Sequence, residues 1–212
     1  MTTTNVIFDA FGTILQIKNA QHPYRQLMQI GIHQGRRPQP NDSQQIMCNA
    51  WGLRETAAAF SIEVSNVEMT RLECILRDEV AGIEAYQDAV ETIDLLLTKG
   101  VKVAVCSNLA QPYGEAVRRC FPVLDAYVFS YEIGALKPDP AIYAACCKAL
   151  GCEPAEAAMV GDSLSCDRDG PRAFGIHGFH LDREKGQVTF AELTTFRESM
   201  TLPSVFCRHE PK

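Results

Sequence analysis

The chain has 212 residues, 46% apolar and 22% charged: enough for one domain with a full core plus a smaller appendage, and too ordinary for wholesale disorder. A formal net charge of -6 excludes a nonspecific polyanion binder, which needs clustered Lys and Arg, and the Arg36-Arg37 pair reads as a solvated turn. No window approaches the roughly 18 apolar residues that span a bilayer, and the opening Met1 to Thr4 has no basic segment followed by an apolar run, so the expectation is a cytoplasmic protein without membrane or nucleic-acid partners.

In chain order, the apolar run 5–8 predicts a first strand that ends on Asp9. Residues 16–82 then lack a strand pattern; 44–60 and 66–80 are the main predicted helices, and 31–41 breaks the helical runs. This reads as a helical insertion, a cap (16–82), in a core made of 1–15 and 83–200. Residues 87–99 show helical periodicity through Val90, Ile93, Leu96 and Leu97, with Gly100 as a stop. Strands are predicted at 101–106, 126–130, 157–160 and 176–181, and helices at 114–120 and 140–150. Short, nearly continuous apolar strands alternating with helices predict an α/β fold, a doubly wound, Rossmann-like parallel sheet with a smaller helical cap domain. After Asp182 the chain turns polar, with one amphipathic stretch at 190–200 and a loose tail at 201–212.

The nine cysteines include no Cys-x-x-Cys pair, and several lie in apolar segments, so they read as reduced, buried thiols. His177 and His180 have a spacing that suits a metal, but no cysteine or carboxylate pattern supports zinc there, and they read as turn and strand residues.

In an open parallel sheet, ligands bind beyond the carboxyl ends of the strands, so the residues that follow each apolar run should converge. These are Asp9 to Thr13, then Ser107-Asn108, then Lys137-Pro138 ahead of a helix, then Gly161-Asp162-Ser163 and Asp167. Asp9 and Asp162 brought together would repel unless a cation lay between them. Magnesium suits such a sparse oxygen supply, because it keeps several waters and takes one or two carboxylates plus substrate phosphate. Asp167 could return across the serine-rich turn as an outer ligand or water holder. Lys137 would balance the nucleophile and an incoming anion, and Ser107 and Asn108 could bind nontransferring oxygens. Gly12 allows close backbone approach, and the Thr13 hydroxyl can orient the Asp9 carboxylate.

In that order these four segments resemble the motifs of the haloacid dehalogenase-like hydrolase superfamily: Asp9-x-Phe11-Gly12-Thr13, Ser107-Asn108, Lys137-Pro138 and Gly161-Asp162-Ser163-x-x-x-Asp167. The resemblance runs from about Val6 to Leu193. It implies a doubly wound core with a mobile helical cap, a nucleophile at Asp9 and magnesium held by Asp9, the backbone carbonyl of Phe11 and Asp162. It also implies catalytic support from Lys137 and anion binding at Ser107-Asn108. The departure is Phe11. Phosphatases of the family usually carry an aspartate there as general acid and base, whereas the dehalogenases carry an aromatic and work without metal.

The two ends of the chain therefore point to different chemistries. Phe11 resembles the dehalogenases; Asp162 with Asp167 resembles the magnesium-dependent phosphatases. The favoured expectation is a phosphatase-type enzyme acting on a small phosphorylated metabolite, either with a good leaving group or with a proton from water, the substrate or a cap residue such as His22 or Tyr24. The alternatives are a metal-independent 2-haloacid dehalogenase and a catalytically weak anion-binding or regulatory protein. Substrate identity and oligomeric state are not legible.

Overall fold

A computed structural model describes residues 5–183. The predicted amphipathic stretch at 190–200 and the tail at 201–212 lie outside the described residues.

A five-stranded parallel sheet forms the core. Its strands are β1 (Asn5–Phe8), β4 (Lys102–Ser107), β5 (Ala126–Phe129), β6 (Ala157–Gly161) and β7 (His177–His180), in the spatial order β5-β4-β1-β6-β7. β1 is central, with Phe8 level with Val105 on one side and Val160 on the other. Its four residues are all buried, as expected of a strand covered on both faces. Chain crossovers leave in opposite directions on either side of β1, which places the topological switch beyond Phe8.

Apolar side chains pack on both faces. One cluster joins Val6, Phe8, Val103 and Val105 to Ile93 and Leu96 of helix α5 (Gln87–Thr98) and to Ala116 and Val117 of α6 (Tyr113–Cys120). The other joins Ile7, Ala104 and Met159 to Ile142, Tyr143, Cys146 and Leu150 of α8 (Pro140–Leu150). Asp139 caps α8 by accepting from the Ala141 N–H at 2.9 Å, with Pro140 in the first turn. Short helices α7 (Ser130–Ile133) and α9 (Gly170–Phe174) complete this layer.

Between β1 and α5 lie four helices: α1 (Pro23–His33), α2 (Asp42–Met47), α3 (Leu53–Ala59) and α4 (Asn66–Ala81). They are flanked by two short antiparallel strands, β2 (Leu15–Ile17) and β3 (Ile83–Ala85), which pair with each other and not with the main sheet. Three residues of each are too short for a sequence pattern, so the expectation of no strand over 16–82 is corrected at β2, and β3, just beyond that range, was not predicted.

The predicted single helix over 44–60 is two helices. Trp51 and Gly52 interrupt it: the Glu55 carboxylate accepts from the Gly52 N–H at 3.0 Å and starts α3 afresh. The freed Trp51 carbonyl accepts from the Tyr24 hydroxyl at 2.9 Å. The Arg36-Arg37 segment also departs from a plain solvated turn. Arg36 forms two hydrogen bonds, at 2.7 and 2.6 Å, to Asp42 and lies 4.4 Å over the Phe60 ring. Among the described residues all eight cysteines are free, and no helix is long and apolar enough to cross a membrane.

Candidate active site

β1 ends by delivering Asp9, whose N–H donates to the Val160 carbonyl at 2.9 Å. The chain then turns tightly: the Ile14 and Leu15 N–H groups both donate to the Ala10 carbonyl, at 2.8 and 2.9 Å. Gly12 makes this turn possible in two ways. Its φ of 79° is the left-handed region, and a Cβ there would stand 2.1 Å from Oδ2 of Asp162. The turn thus brings Asp162, from beyond β6, against the Asp9 loop.

Three donors converge on the buried Asp9 carboxylate. Lys137 Nζ lies 2.7 Å and Ser107 Oγ 3.1 Å from Oδ1, and the Thr13 hydroxyl lies 3.4 Å from Oδ2. Lys137 also reaches Oδ1 of Asp167 at 2.7 Å. Burial by itself would lower the Lys137 pKa, but Asp9 and Asp167 outweigh it and hold the ammonium well above its usual range. Lys137 is aimed by Asn108, whose carboxamide accepts from the Lys137 N–H at 2.7 Å and donates to the Lys137 carbonyl at 2.9 Å. The Asn108 side chain is therefore committed to the lysine loop, and only its backbone remains for the anion-binding role expected from the sequence.

Asp167 is placed by a π-helical turn over Leu164–Asp169. Tyr143 fixes that turn by donating to the Cys166 carbonyl at 2.6 Å, and Ser163 accepts from the Cys166 N–H at 3.3 Å. The second Asp167 oxygen accepts from the Ser163 N–H at 2.9 Å, and a Cβ on Gly161 would overlap the carboxylate at 2.3 Å. Asp9, Asp162 and Asp167 each offer a carboxylate oxygen within 4.8 Å of the others. Burial, and then repulsion from Asp9 and Asp167, raise the Asp162 carboxyl; burial also raises Asp167, against the opposing pull of Lys137. One ammonium against three carboxylates leaves excess negative charge on hard oxygen donors, a donor set that suits magnesium and not a softer metal. His177 and His180 stand on β7, and His180 Nε2 donates to the Asp162 carbonyl at 3.0 Å.

Phe11 turns away from this network into an adjoining cavity of about 360 Å³ that reaches Asn108 and is walled on the far side by α1 and α2. The Phe11 ring meets Tyr113 edge-on at 6.0 Å. Tyr24 and His22, the proton sources considered from the sequence, both line the cavity. Tyr24 is unsuited to the role, since its hydroxyl is spent on the Trp51 carbonyl and burial, aided by Glu55, pushes its pKa far up. Arg36 and Arg37 are not among the residues lining this cavity.

Several contributors were invisible in the sequence because their partners are distant along the chain. Glu79 is buried in α4 and accepts from the Tyr113 hydroxyl at 2.5 Å, from the His22 N–H at 2.9 Å and from the Gln21 N–H. Arg183 donates to the Thr13 carbonyl at 2.8 Å, pairs with Asp88 at 3.1 Å and lies 3.9 Å over Tyr86. One acid among four in α4 and an arginine after the last strand carry no signal of such contacts.

A family model described as haloacid dehalogenase-like hydrolase matches residues 3–175. Curated relatives fall on both sides of the chemistry. (S)-2-haloacid dehalogenase 4A of Burkholderia cepacia is 27% identical over 193 residues, covering 84% of this chain and 82% of the relative. Glyceraldehyde 3-phosphate phosphatase of Methanopyrus kandleri is 34% identical over 110 residues; the chain spans 47% of its length and half of its own. The crystal structure of a HAD phosphatase from Thermococcus onnurineus superposes with a TM-score of 0.63 at 22% identity, covering 95% of this chain and all of that one, a likeness of fold. With the family model spanning four of the five sheet strands, the insertion and all four strand-end segments, the chain belongs to the haloacid dehalogenase-like hydrolases.

Proposed function

We propose that this hydrolase is a magnesium-dependent phosphatase-type enzyme that acts on a small phosphorylated molecule through an aspartyl phosphate at Asp9. The observation that carries the reading is the cluster of Asp9, Asp162 and Asp167 around a single buried ammonium. A metal-free displacement has no use for Asp162, an acid pressed against the nucleophile loop at a cost in repulsion. Magnesium would be held by the carboxylates of Asp9 and Asp162 and the carbonyl of Phe11, with Asp167 as an outer partner. When bound, it draws the phosphate to Asp9 and neutralises charge that develops on its oxygens.

The residues divide the remaining work. Asp9 supplies the attacking oxygen from a carboxylate whose direction is fixed by Ser107 and Thr13. Lys137 keeps Asp9 ionised and faces the incoming anion, while Asp167 holds the ammonium from behind. Ser107 and the backbone of Asn108 receive the nontransferring oxygens. Phe11 has no proton to give the leaving group and takes none from the water that opens the aspartyl phosphate. General acid or base catalysis contributes typically about 100-fold to 10,000-fold, so turnover persists where the leaving group needs no proton.

The second reading is a 2-haloacid dehalogenase, favoured by Phe11 and by the dehalogenase relative that matches over most of the chain. Against it stand the acid cluster and the commitment of Arg36 to Asp42. A weak anion-binding protein is the third. Phosphate release from an aryl phosphate separates them: it should require magnesium, vanish with chelator and vanish in Asp9→Asn. Chelator-resistant halide release from a 2-haloacid, without phosphate release, would overturn the proposal.

A further inference from the structure

The cavity beside Phe11 bears the marks of a particular leaving group. Three aromatic rings meet there, Phe11 edge-on to Tyr113 at 6.0 Å and Tyr24 against Tyr113 at 6.4 Å, with Ile46 and Leu109 completing apolar walls. Both tyrosine hydroxyls are tied off, one on Glu79 and one on the Trp51 carbonyl, so the rings present carbon surface to the cavity and not donors. Burial and the Glu79 carboxylate push the Tyr113 hydroxyl far above its usual range, which keeps its proton in place. Glu79 itself already accepts from three donors. Away from Ser43, His22 and Arg25, a sugar would find few partners for its hydroxyls on the aromatic and aliphatic walls, and each unpartnered hydroxyl would be penalised.

One charge in the lining is uncommitted. Arg25, on α1, faces the cavity with no ion pair or hydrogen bond to any described residue, in contrast to Arg36, Arg54 and Arg71, which are paired. The volume, about 360 Å³, has room for roughly a dozen water-sized groups at ~30 Å³ each. Edge-to-face and offset ring contacts favour a flat aromatic body, and a guanidinium favours a carboxylate.

We propose that the leaving group is a phenol that carries an acid group, so that the substrate is a carboxylated aryl phosphate. This rests on Asp9 acting as the phosphoryl acceptor. The same feature then explains two observations: the ring fills the aromatic cavity, and a phenolate leaves without the proton that Phe11 cannot supply. In the first step the Asp9 oxygen bonds to phosphorus, and the phosphorus–aryl oxygen bond breaks with its electron pair going to the phenolate, which takes a proton from solvent. In the second, water bonds to phosphorus, the bond to Asp9 breaks, and the water proton passes to solvent. The net change is aryl phosphate plus water to phenol plus phosphate.

The test compares 4-carboxyphenyl phosphate, phenyl phosphate and glucose 6-phosphate with magnesium, alongside calorimetric binding of the product 4-hydroxybenzoate. The proposal expects kcat/KM in that order, with Arg25→Ala lowering the preference for the carboxylated ester about fivefold and Arg25→Glu reversing it. It also expects 4-hydroxybenzoate to bind more tightly than phenol, and to lose that advantage in Arg25→Glu. Turnover of all three esters without preference, or equal binding of the two phenols, would overturn the proposal. Selective binding of 4-hydroxybenzoate with no turnover of any phosphate would overturn the aspartyl-phosphate reading and leave the ligand class standing.

Discussion

At the scale of single residues, the proposed function makes Phe11 the residue that decides which esters react. Restoring an acid by Phe11→Asp should raise kcat/KM on an alkyl phosphate such as glycerol phosphate by about 100-fold, with little gain on aryl phosphates, read by phosphate release. No gain on the alkyl ester would mean that the defect lies elsewhere in the site. His22 also lines the cavity; its φ of 54° is unusual for a side-chain-bearing residue and is pinned by the bond from its N–H to Glu79. If solvent supplies the proton, His22→Ala should lower aryl phosphate hydrolysis by less than about 3-fold, whereas loss of a general acid would cost about 100-fold or more. Asp9, Thr13, Lys137 and Asp162 stood out in the sequence because Asp9, Thr13 and Asp162 follow apolar runs and Lys137 stands just ahead of a helix start. The side-chain duty of Asn108 was not, because its partner stands 29 residues away and is backbone.

At the scale of elements, the five sheet strands and helices α5, α6 and α8 follow the apolar pattern to within a residue or two, since burial on both faces leaves little choice, whereas the short α7 and α9 carry no such pattern. The insertion was read less well. There, helix ends are set by local capping at Gly52 and by a contact between Arg36 and Asp42 that no periodicity encodes. That contact makes a pH-dependent prediction. The Arg36 guanidinium, chiefly by hydrogen bonding, holds the Asp42 carboxyl below its usual value. A carboxyl depressed in the folded state contributes stability above its unfolded pKa, about 3.9, and loses it as pH falls through the folded pKa. Arg36→Gln should therefore lower Tm at pH 7, and the difference from wild type should shrink below about pH 4. A difference that is the same at both pH values would contradict the pairing.

At the scale of the molecule, the sheet places Asp9 and the insertion supplies one wall of the adjoining cavity, the wall that under the proposed function chooses the substrate. Arg183 ties the end of the described chain to the nucleophile turn through the Thr13 carbonyl, and Tyr113 ties α6 to α4 through Glu79. A hydrogen bond to a charged group contributes about 1.5–3 kcal/mol, so Tyr113→Phe should lower the stability measured by urea unfolding by about 2 kcal/mol. An unchanged midpoint would mean that the two helices are not coupled through this contact. The meeting of four separated segments followed from the rule that ligands bind beyond the strand ends; the order of the strands, the pairing of β2 with β3 and the reach of Glu79 and Arg183 depend on contacts that only the folded chain brings together. The measurement that bears most directly on the central claim is rapid quenching of the enzyme during turnover of an aryl phosphate, followed by mass spectrometry of the peptide that contains Asp9. A phosphoryl group on Asp9 that forms only with magnesium and is absent in Asp9→Asn is the predicted result. A peptide that stays unmodified while phosphate is released, or turnover that proceeds undiminished in chelator, would contradict it.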